Sequence, residues 1–305
     1  MNDIIGNVAI LLLFAFVGWV LCKAKILKSE NAKTLSLLEI WIFLPCKMFK
    51  SFSSNFTVEY ISEKYSLLII SAITLVLIVF ATALLIPLFI KDKNERRICR
   101  YSLSVANYGY VGYALAENLY GESVLIDMMV FVIPLSLFVY TEGYRTLTGS
   151  EKFSFKRMLN PVLMAIIPGM LFGLLKIQLP AFLSSAISGA SACMSPISMI
   201  LAGILISSYN LKSLITDVRV YIISALRLVV IPFAICFVLS RFFSSQVVLV
   251  AMLAYAMPCG LNTILFQNLA EKKCKIGISL PFISTILSII TIPLMCKGVE
   301  FLCTL

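Results

Sequence analysis

The chain has 305 residues, of which 60% are hydrophobic and 13% are charged. Soluble domains carry about 25% charged residues, so this composition excludes a water-soluble globular protein. The net charge of +10 does not imply a nucleic-acid partner, because basic residues also collect in the short cytoplasmic loops of membrane proteins.

Other residue counts exclude several kinds of site. Histidine is absent, and the nine cysteines are scattered singly without a Cys-x-x-Cys pair. This pattern favours cysteines that pack as small core residues over a disulfide framework or a metal site. We therefore expect no metal and no cofactor. We also expect no enzymatic activity, because an intramembrane enzyme would want a convergent His/Asp/Glu or Ser/His set and histidine is missing.

Long apolar runs predict an all-α membrane protein, because a helix satisfies its own backbone hydrogen bonds in lipid. Each run is about long enough to cross a bilayer. The ten predicted transmembrane spans are residues 4–22, 34–50, 65–90, 98–120, 123–144, 158–176, 181–208, 216–240, 246–270 and 276–303.

Basic residues predict the orientation of these spans. The loops after spans 1, 3, 5, 7 and 9, together with the adjoining span ends, hold 18 Lys and Arg residues, whereas the opposite side of the membrane has five. Cytoplasmic loops carry the excess of Lys and Arg, so the first set is cytoplasmic. We predict a multi-pass protein of the plasma (inner) membrane, in contact with lipid, with both termini outside the cytoplasm.

Spans 4 and 9 are interrupted by residues that weaken a helix or are polar. These residues are Asn107, Gly109 and Gly112 in span 4, and Pro258, Gly260 and Asn262 in span 9. Interrupted hydrophobic segments at corresponding positions of two halves are the best sequence pointer to the binding site of a transporter.

The interruptions recur at one spacing along the chain. Asn107 and Pro258 lie 151 residues apart, as do Pro45 and Pro196. Because five spans per half is an odd number, the second half would enter the membrane upside down. We predict a 5+5 inverted repeat in one membrane domain, with residues 1–150 and 151–305 as its halves and the broken helices 4 and 9 at equivalent positions.

The two breaks also predict a substrate site. If each helix unwinds there, two half-helix N-termini face a common point near the membrane midplane, which favours an anion. Asn107 and Asn262 would add amide groups to this site. In the alternative interpretation, Gly109, Gly112 and Gly260 only permit close helix packing, and the two asparagines bond across helices.

Four further residues inside spans are candidates for function. Lys47 and Arg227 are candidates for substrate binding, because a cation inside a span is costly and should face protein or water. Alternatively, Lys47 extends to the outer membrane surface and Arg227 forms a structural pair. Glu39 and Gln267 are candidates for ion coupling, with Glu39 either a proton carrier or part of an ion pair.

The sequences NYGYVGYA (107–114), PCGLN (258–262) and FLP (43–45) resemble the auxin efflux carrier family of bacterial permeases and plant PIN carriers. The resemblance covers essentially the whole chain, although many members have proline where this chain has Ala114. It implies the fold of bile-acid/sodium symporters, in which spans 4 and 9 cross. It also implies an organic anion as substrate, such as auxin or a dicarboxylate, and a homodimer.

These features together predict a secondary transporter or permease for a small organic anion that works by alternating access. Spans 3–5 and 8–10 would form a scaffold that carries the crossing, and spans 1, 2, 6 and 7 would form the other domain. No P-loop motif is present, and the coupling ion is left open between a proton and sodium. The alternative is a membrane receptor or sensor that binds an organic acid without moving it.

Cysteine-accessibility labelling tests the predicted orientation. In a variant without the native cysteines, a single cysteine in loop 91–100 should react only from the cytoplasmic side, and one at residue 2 or 304 only from outside. Terminal cysteines that react only from the cytoplasm would contradict both the topology and the inverted repeat.

Overall fold

The computed structural model describes residues 2–28, 30–149, 161–207, 214–264 and 274–304. This part of the chain is helical and contains no β-strand, which confirms the all-α prediction. Its helices are α1 (Asn2–Lys23), α2 (31–55), α3 (Val58–Lys64), α4 (Ser66–Phe89), α5 (Lys93–Ser104), α6 (Tyr108–Phe131), α7 (Ile133–Thr148), α8 (Pro161–Leu174), α9 (Ala181–Ser207), α10 (Val218–Leu239), α11 (Ser245–Tyr255) and α12 (Lys275–Thr304).

Several helices have the length and composition of membrane spans. Within the described ranges, α4, α9, α10 and α12 are long and apolar enough to cross a membrane, and the bent pair α6–α7 would make a fifth span. Helix α4 directs Leu77, Phe80 and Leu88 outward with 61%, 63% and 76% exposure, as expected of a lipid-facing surface. Shorter apolar helical stretches, Ala9–Lys23, Pro161–Leu174 and Ser245–Tyr255, lie in predicted spans 1, 6 and 9. The count of ten spans stays a prediction.

The predicted interruptions are present in spans 4 and 9. Span 4 consists of α5 and the first arm of α6, separated by the non-helical residues 105–107. Span 9 consists of α11 and a helical turn at 262–264, separated by residues 256–261. Gly121 in α6 has a left-handed backbone with φ of 81°, which favours glycine. This kink lies between predicted spans 4 and 5.

Four helices in the described part of the chain contain a π turn, in which one extra residue is accommodated. These turns are Glu39–Phe43 in α2, Tyr108–Gly112 at the start of α6, Val139–Gly143 in α7 and Leu226–Val230 in α10. Short π turns in α-helices are frequent at functional sites. Three of these turns hold residues that the sequence had singled out.

The helices pack in the two groups expected from the sequence. Helices α1, α2, α8 and α9 pack against one another, whereas α4–α7 pack with α10–α12. The two groups meet where α2, α1 and α9 contact α6 and where α1 contacts α12. Both broken segments belong to the second group. They therefore face the first group across this boundary.

Glycines allow α1 and α9 to approach closely. A Cβ atom at Gly203 would lie 1.8 Å from the carbonyl oxygen of Ala15, and one at Gly18 would lie 2.1 Å from that of Ile200. Small residues at such contacts let helix backbones pack tightly where lipid removes the hydrophobic drive for association. These glycines therefore fix the position of α1 against α9.

Adding one methyl group at this contact should destabilise the protein. Gly203→Ala should lower the melting temperature of the detergent-purified protein, because overpacking a filled contact costs about 1–3 kcal/mol. Gly189→Ala in the same helix is the matched control, since a Cβ there meets no atom within 4 Å. Equal melting temperatures of the two variants would disprove the close α1–α9 contact.

Candidate functional site

The two helix breaks meet inside the protein. Ala106 and Cys259 form an isolated antiparallel bridge, and the backbone N–H of Asn107 donates to the carbonyl of Pro258 at 2.7 Å. A broken helix leaves backbone groups without intrahelical partners, and in lipid these groups need partners within the protein. Each break therefore supplies hydrogen bonds that the other lacks.

Helix α6 begins directly at this crossing. The carbonyl of Asn107 accepts hydrogen bonds from the N–H groups of Val111 and Gly112, both at 3.2 Å. The N–H groups of residues 108–110 come before these first intrahelical hydrogen bonds and therefore have no acceptor within the helix. Such N–H groups at a helix N-terminus favour a negatively charged group nearby.

The break in span 4 lies earlier than the sequence indicated. It occupies residues 105–107, whereas Gly109 and Gly112 were expected to form it and instead lie in the first turn of α6. Ala114, where many family members have proline, lies further along the same helix. The break therefore depends on the extended backbone that pairs with 258–259 and not on glycine.

A small polar cavity of about 50 Å³ lies at the crossing. Tyrosine side chains form much of its wall, and no charged side chain of the described residues lines it. The polar or aromatic residues that line it are Asn107, Tyr108, Tyr110, Tyr113, Ser136, Tyr140 and Asn262. Gly109 and Gly260 also line this cavity, where the absence of side chains leaves space next to the crossing.

The two asparagines predicted for the site both line this cavity. Asn262 donates its side-chain Nδ2 hydrogen to the hydroxyl of Tyr101 at 3.3 Å. Asn107 is only 5% exposed, and no described residue hydrogen-bonds to its side-chain amide. The Asn107 amide therefore keeps its donors and its acceptor available to a bound molecule.

A larger apolar cavity of about 320 Å³ adjoins the crossing. It lies between α1, α9 and α12, and Phe16, Trp19 and Phe282 are among its lining residues. Asn107 and Leu261 line both cavities. One amide side chain therefore stands between a small polar space and a larger apolar space.

The surroundings of Gly112 agree with the alternative interpretation, in which the glycines permit close packing of helices. A Cβ atom there would lie 2.5 Å from Cε of Met128 and 3.2 Å from the carbonyl oxygen of Leu253. Gly112 lines neither cavity. Its contacts explain the glycine by the close packing of α6 against α11.

Arg227 holds both broken helices from outside the cavities. It is fully buried; its Nη1 donates to the carbonyl of Leu103 at 2.7 Å, and its Nε to that of Met257 at 3.4 Å. Its guanidinium lies 5.9 Å from the ring centre of Tyr255. A cation at the ends of α5 and α11 stabilises their terminal carbonyls. This role of Arg227 is structural and is close to the structural pair that the sequence analysis gave as the alternative to substrate binding.

Lys47 is buried and paired. Its Nζ forms an ion pair with the carboxylate of Glu117 in α6, and the Lys47 side chain is 7% exposed. The alternative in which Lys47 extends to the outer surface is therefore wrong. Lys50 lies 3.9 Å from Glu122 one turn further along, so two ion pairs join α2 to α6 across the boundary between the two helix groups.

Glu39 and Gln267, the ion-coupling candidates, have different outcomes. Glu39 is fully buried in the π turn of α2, and its Oε1 lies 2.5 Å from Oγ of Ser198 in α9. It forms no ion pair with a described residue. Gln267 lies outside the described residues.

Sequence reasoning missed several side chains that complete the crossing. Ser284 in α12 accepts a hydrogen bond from the backbone N–H of Cys259 at 2.9 Å, and the hydroxyl groups of Tyr108 and Ser136 lie 3.0 Å apart. The tyrosines were visible as the repeated Tyr residues of the NYGYVGYA segment. A lone serine in an apolar span carries no comparable signal.

Comparison with known proteins assigns the chain to a family. A family model described as "Membrane transport protein" matches residues 3–153 and 141–296. The chain belongs to this membrane transport protein family. It is the auxin efflux carrier family that the motifs indicated. An uncharacterized transporter of Methanocaldococcus jannaschii is 27% identical over 300 residues, which cover 94% of this chain and 96% of the relative.

Removing the Arg227 side-chain charge should destabilise this membrane transport protein. Arg227→Met leaves two buried carbonyls without a donor, at a cost of about 1–3 kcal/mol for each group, so the melting temperature should fall. Arg241→Met, just beyond the end of the same predicted span, is the control, because Arg241 is exposed and stacks on Phe237. Arg227→Met with the melting temperature of the control would show that the arginine does not support the crossing.

Proposed function

We propose that this protein is a secondary transporter that moves a small organic anion by alternating access. The observation that carries the proposal is the position of Asn107 at a helix break, between two cavities. Its buried side-chain amide has no hydrogen-bond partner among the described residues. Membership of a transporter family supports transport as the activity. The geometry of the crossing supports the anion.

Dipoles and neutral donors would recognise the negative charge of the substrate. The N-terminus of α6 presents N–H groups of residues 108–110 next to the Asn107 amide, and helix N-termini bind carboxylates. No carboxylate side chain of the described residues lines the small cavity. Lys47 and Arg227 already bind protein groups, so recognition does not require them in this conformation.

The substrate should combine one carboxylate with an apolar body. The larger cavity has the size of a small-molecule site, and its wall is almost entirely apolar. A second carboxylate would find no cation among the residues described around either cavity. This arrangement favours an auxin-like monocarboxylate over a dicarboxylate.

The proposed fold is a 5+5 inverted repeat of ten spans related to bile-acid/sodium symporters, with halves 1–150 and 151–305. The backbone hydrogen bond between Asn107 and Pro258, which are 151 residues apart, supports the proposal that the two breaks occupy equivalent positions in the two halves. The two packing groups of helices support motion of one group against the other. The Lys47–Glu117 pair would break or reform during such motion, since it joins α2 to α6.

Uptake into proteoliposomes tests this proposal. Vesicles with the wild-type protein should take up labelled indole-3-acetate faster than labelled succinate. Asn107→Ala and Asn262→Ala should each weaken the apparent affinity for indole-3-acetate by about ten- to hundredfold, because a hydrogen bond to a charged group contributes about 1.5–3 kcal/mol. The double variant should lose less than the product of the two losses, since both residues act on one site.

The control is Asn94→Ala, because Asn94 is exposed at the start of α5, away from both cavities. It should transport as the wild type does. Binding of either acid by wild-type vesicles without uptake would indicate a receptor and would contradict transport. Near-normal uptake in both Asn107→Ala and Asn262→Ala would place the site elsewhere.

A further inference from the structure

Glu39 is a buried carboxyl group without a counter-ion. Its side chain is 0% exposed, its Oε1 contacts Oγ of Ser198 at 2.5 Å, and its Oε2 has no hydrogen-bond partner among the described residues. An ionised carboxylate that is buried without a cation is strongly unfavourable, and such a group binds a proton instead.

The hydrogens around Ser198 agree with this proton. Oγ of Ser198 lies 2.5 Å from Glu39 Oε1 and 2.6 Å from the carbonyl oxygen of Met194, and it has the geometry to donate to either oxygen. A hydroxyl has one hydrogen to donate, and a carbonyl only accepts. A proton on Glu39 would let both contacts be full hydrogen bonds, with Ser198 donating to Met194 and Glu39 donating to Ser198.

The neighbouring ionisable groups do not replace this proton. Those on the helices around Glu39 include Lys33, Cys46, Lys47 and Lys50 in α2, Cys193 in α9 and Tyr110 in α6, and α8 has none over 161–174. Lys50 is directed to Glu122 of α6, at 3.9 Å. Lys33 is exposed, and Lys47 is bound to Glu117. No cation of the described residues thus bonds to Glu39.

Glu39 lies beside the proposed substrate site. Leu44 and Met48, further along the same helix α2, line the small cavity. Met199, which follows Ser198, lines the larger cavity. The acid and its partner therefore belong to the helix group that faces the crossing.

We propose that Glu39 is the proton-binding site of a proton–anion symporter, an inference that rests on the proposed transport function. One proton joins the Glu39 carboxylate to give the neutral acid, and no bond of the substrate changes. A monocarboxylate and this proton then cross together with zero net charge. Release of both follows when the two helix groups move and water reaches Glu39.

Electrostatics couples the two ligands in this direction. An ionised Glu39 would repel an anion in the adjacent cavities, whereas the neutral acid would not. The anion and the proton therefore favour each other's binding, and this coupling is reciprocal. An antiporter would need the opposite sign of interaction.

Infrared spectroscopy of the purified protein at pH 7 tests the protonated state without a substrate. The wild-type spectrum minus that of Glu39→Gln should contain the C=O stretching band of a protonated carboxyl group. Glu59→Gln, at an exposed position, should give no such difference. The absence of the band in the Glu39→Gln difference would overturn the proposal.

The pH dependence of indole-3-acetate affinity in proteoliposomes tests the coupling. Free carboxyl groups titrate near pH 4, so the probe is ionised from about pH 6 upward. The wild-type affinity should fall with rising pH, towards a tenfold loss per pH unit, as Glu39 loses its proton. Glu39→Gln should abolish this slope, whereas Glu39→Asp and Glu59→Gln should retain it.

Remaining outcomes also decide the question. Uptake that follows a sodium gradient and ignores a pH gradient would overturn proton symport. If the wild type takes up no probe acid, the proposed function fails, and the infrared band still decides whether Glu39 holds a proton.

If Glu39→Gln is not monodisperse, Ser198→Ala replaces it in the infrared experiment. That variant should shift the acid band to the position of a carboxyl group that donates no hydrogen bond, and an unchanged spectrum would overturn the assignment.

Discussion

The backbone hydrogen bond from Asn107 to Pro258 is the interaction on which the centre of the protein depends. A helix that is interrupted in a membrane exposes polar backbone groups that water cannot satisfy. Here the extended backbone of each break pairs with that of the other. Ser284 also accepts a hydrogen bond from Cys259, and Arg227 donates to the carbonyls of Leu103 and Met257. The breaks are stable because they occur together.

The buried cations Arg227 and Lys47 bind protein groups, and no charged side chain of the described residues lines either cavity. Arg227 binds helix-end carbonyls and Lys47 binds a carboxylate of another helix. An anion would therefore meet amide groups, hydroxyls and a helix terminus in place of a formal charge. Such a site binds with moderate strength, and a transporter needs this because its substrate must also leave. For the same reason the protonation state of Glu39 affects the binding of an anion. An ionised Glu39 would have no cation of the described residues bonded to it.

Local chemistry explains what the sequence could predict. Proline, glycine and asparagine in apolar runs identified the broken segments, and their spacing identified the pair that meets. The break in span 4 was placed too late, because its position is set by backbone pairing with residues 258–259 and not by Gly109. The partner of Glu39 lies 159 residues away, and that of Lys47 lies on α6. No local pattern reports such pairings, so they appear only in the folded chain.

The π turns set the rotational phase of the helices that carry the site. Each residue of an α-helix advances the side-chain direction by about 100°, and a π turn adds one residue without adding a turn. In α2, the turn at Glu39–Phe43 therefore decides which way Lys47 and Met48 point further along. A chain one residue shorter there would direct these side chains away from α6 while its hydrophobic profile stayed almost the same. Relatives that differ by one residue in this turn would thus share the fold but present a different wall to the substrate.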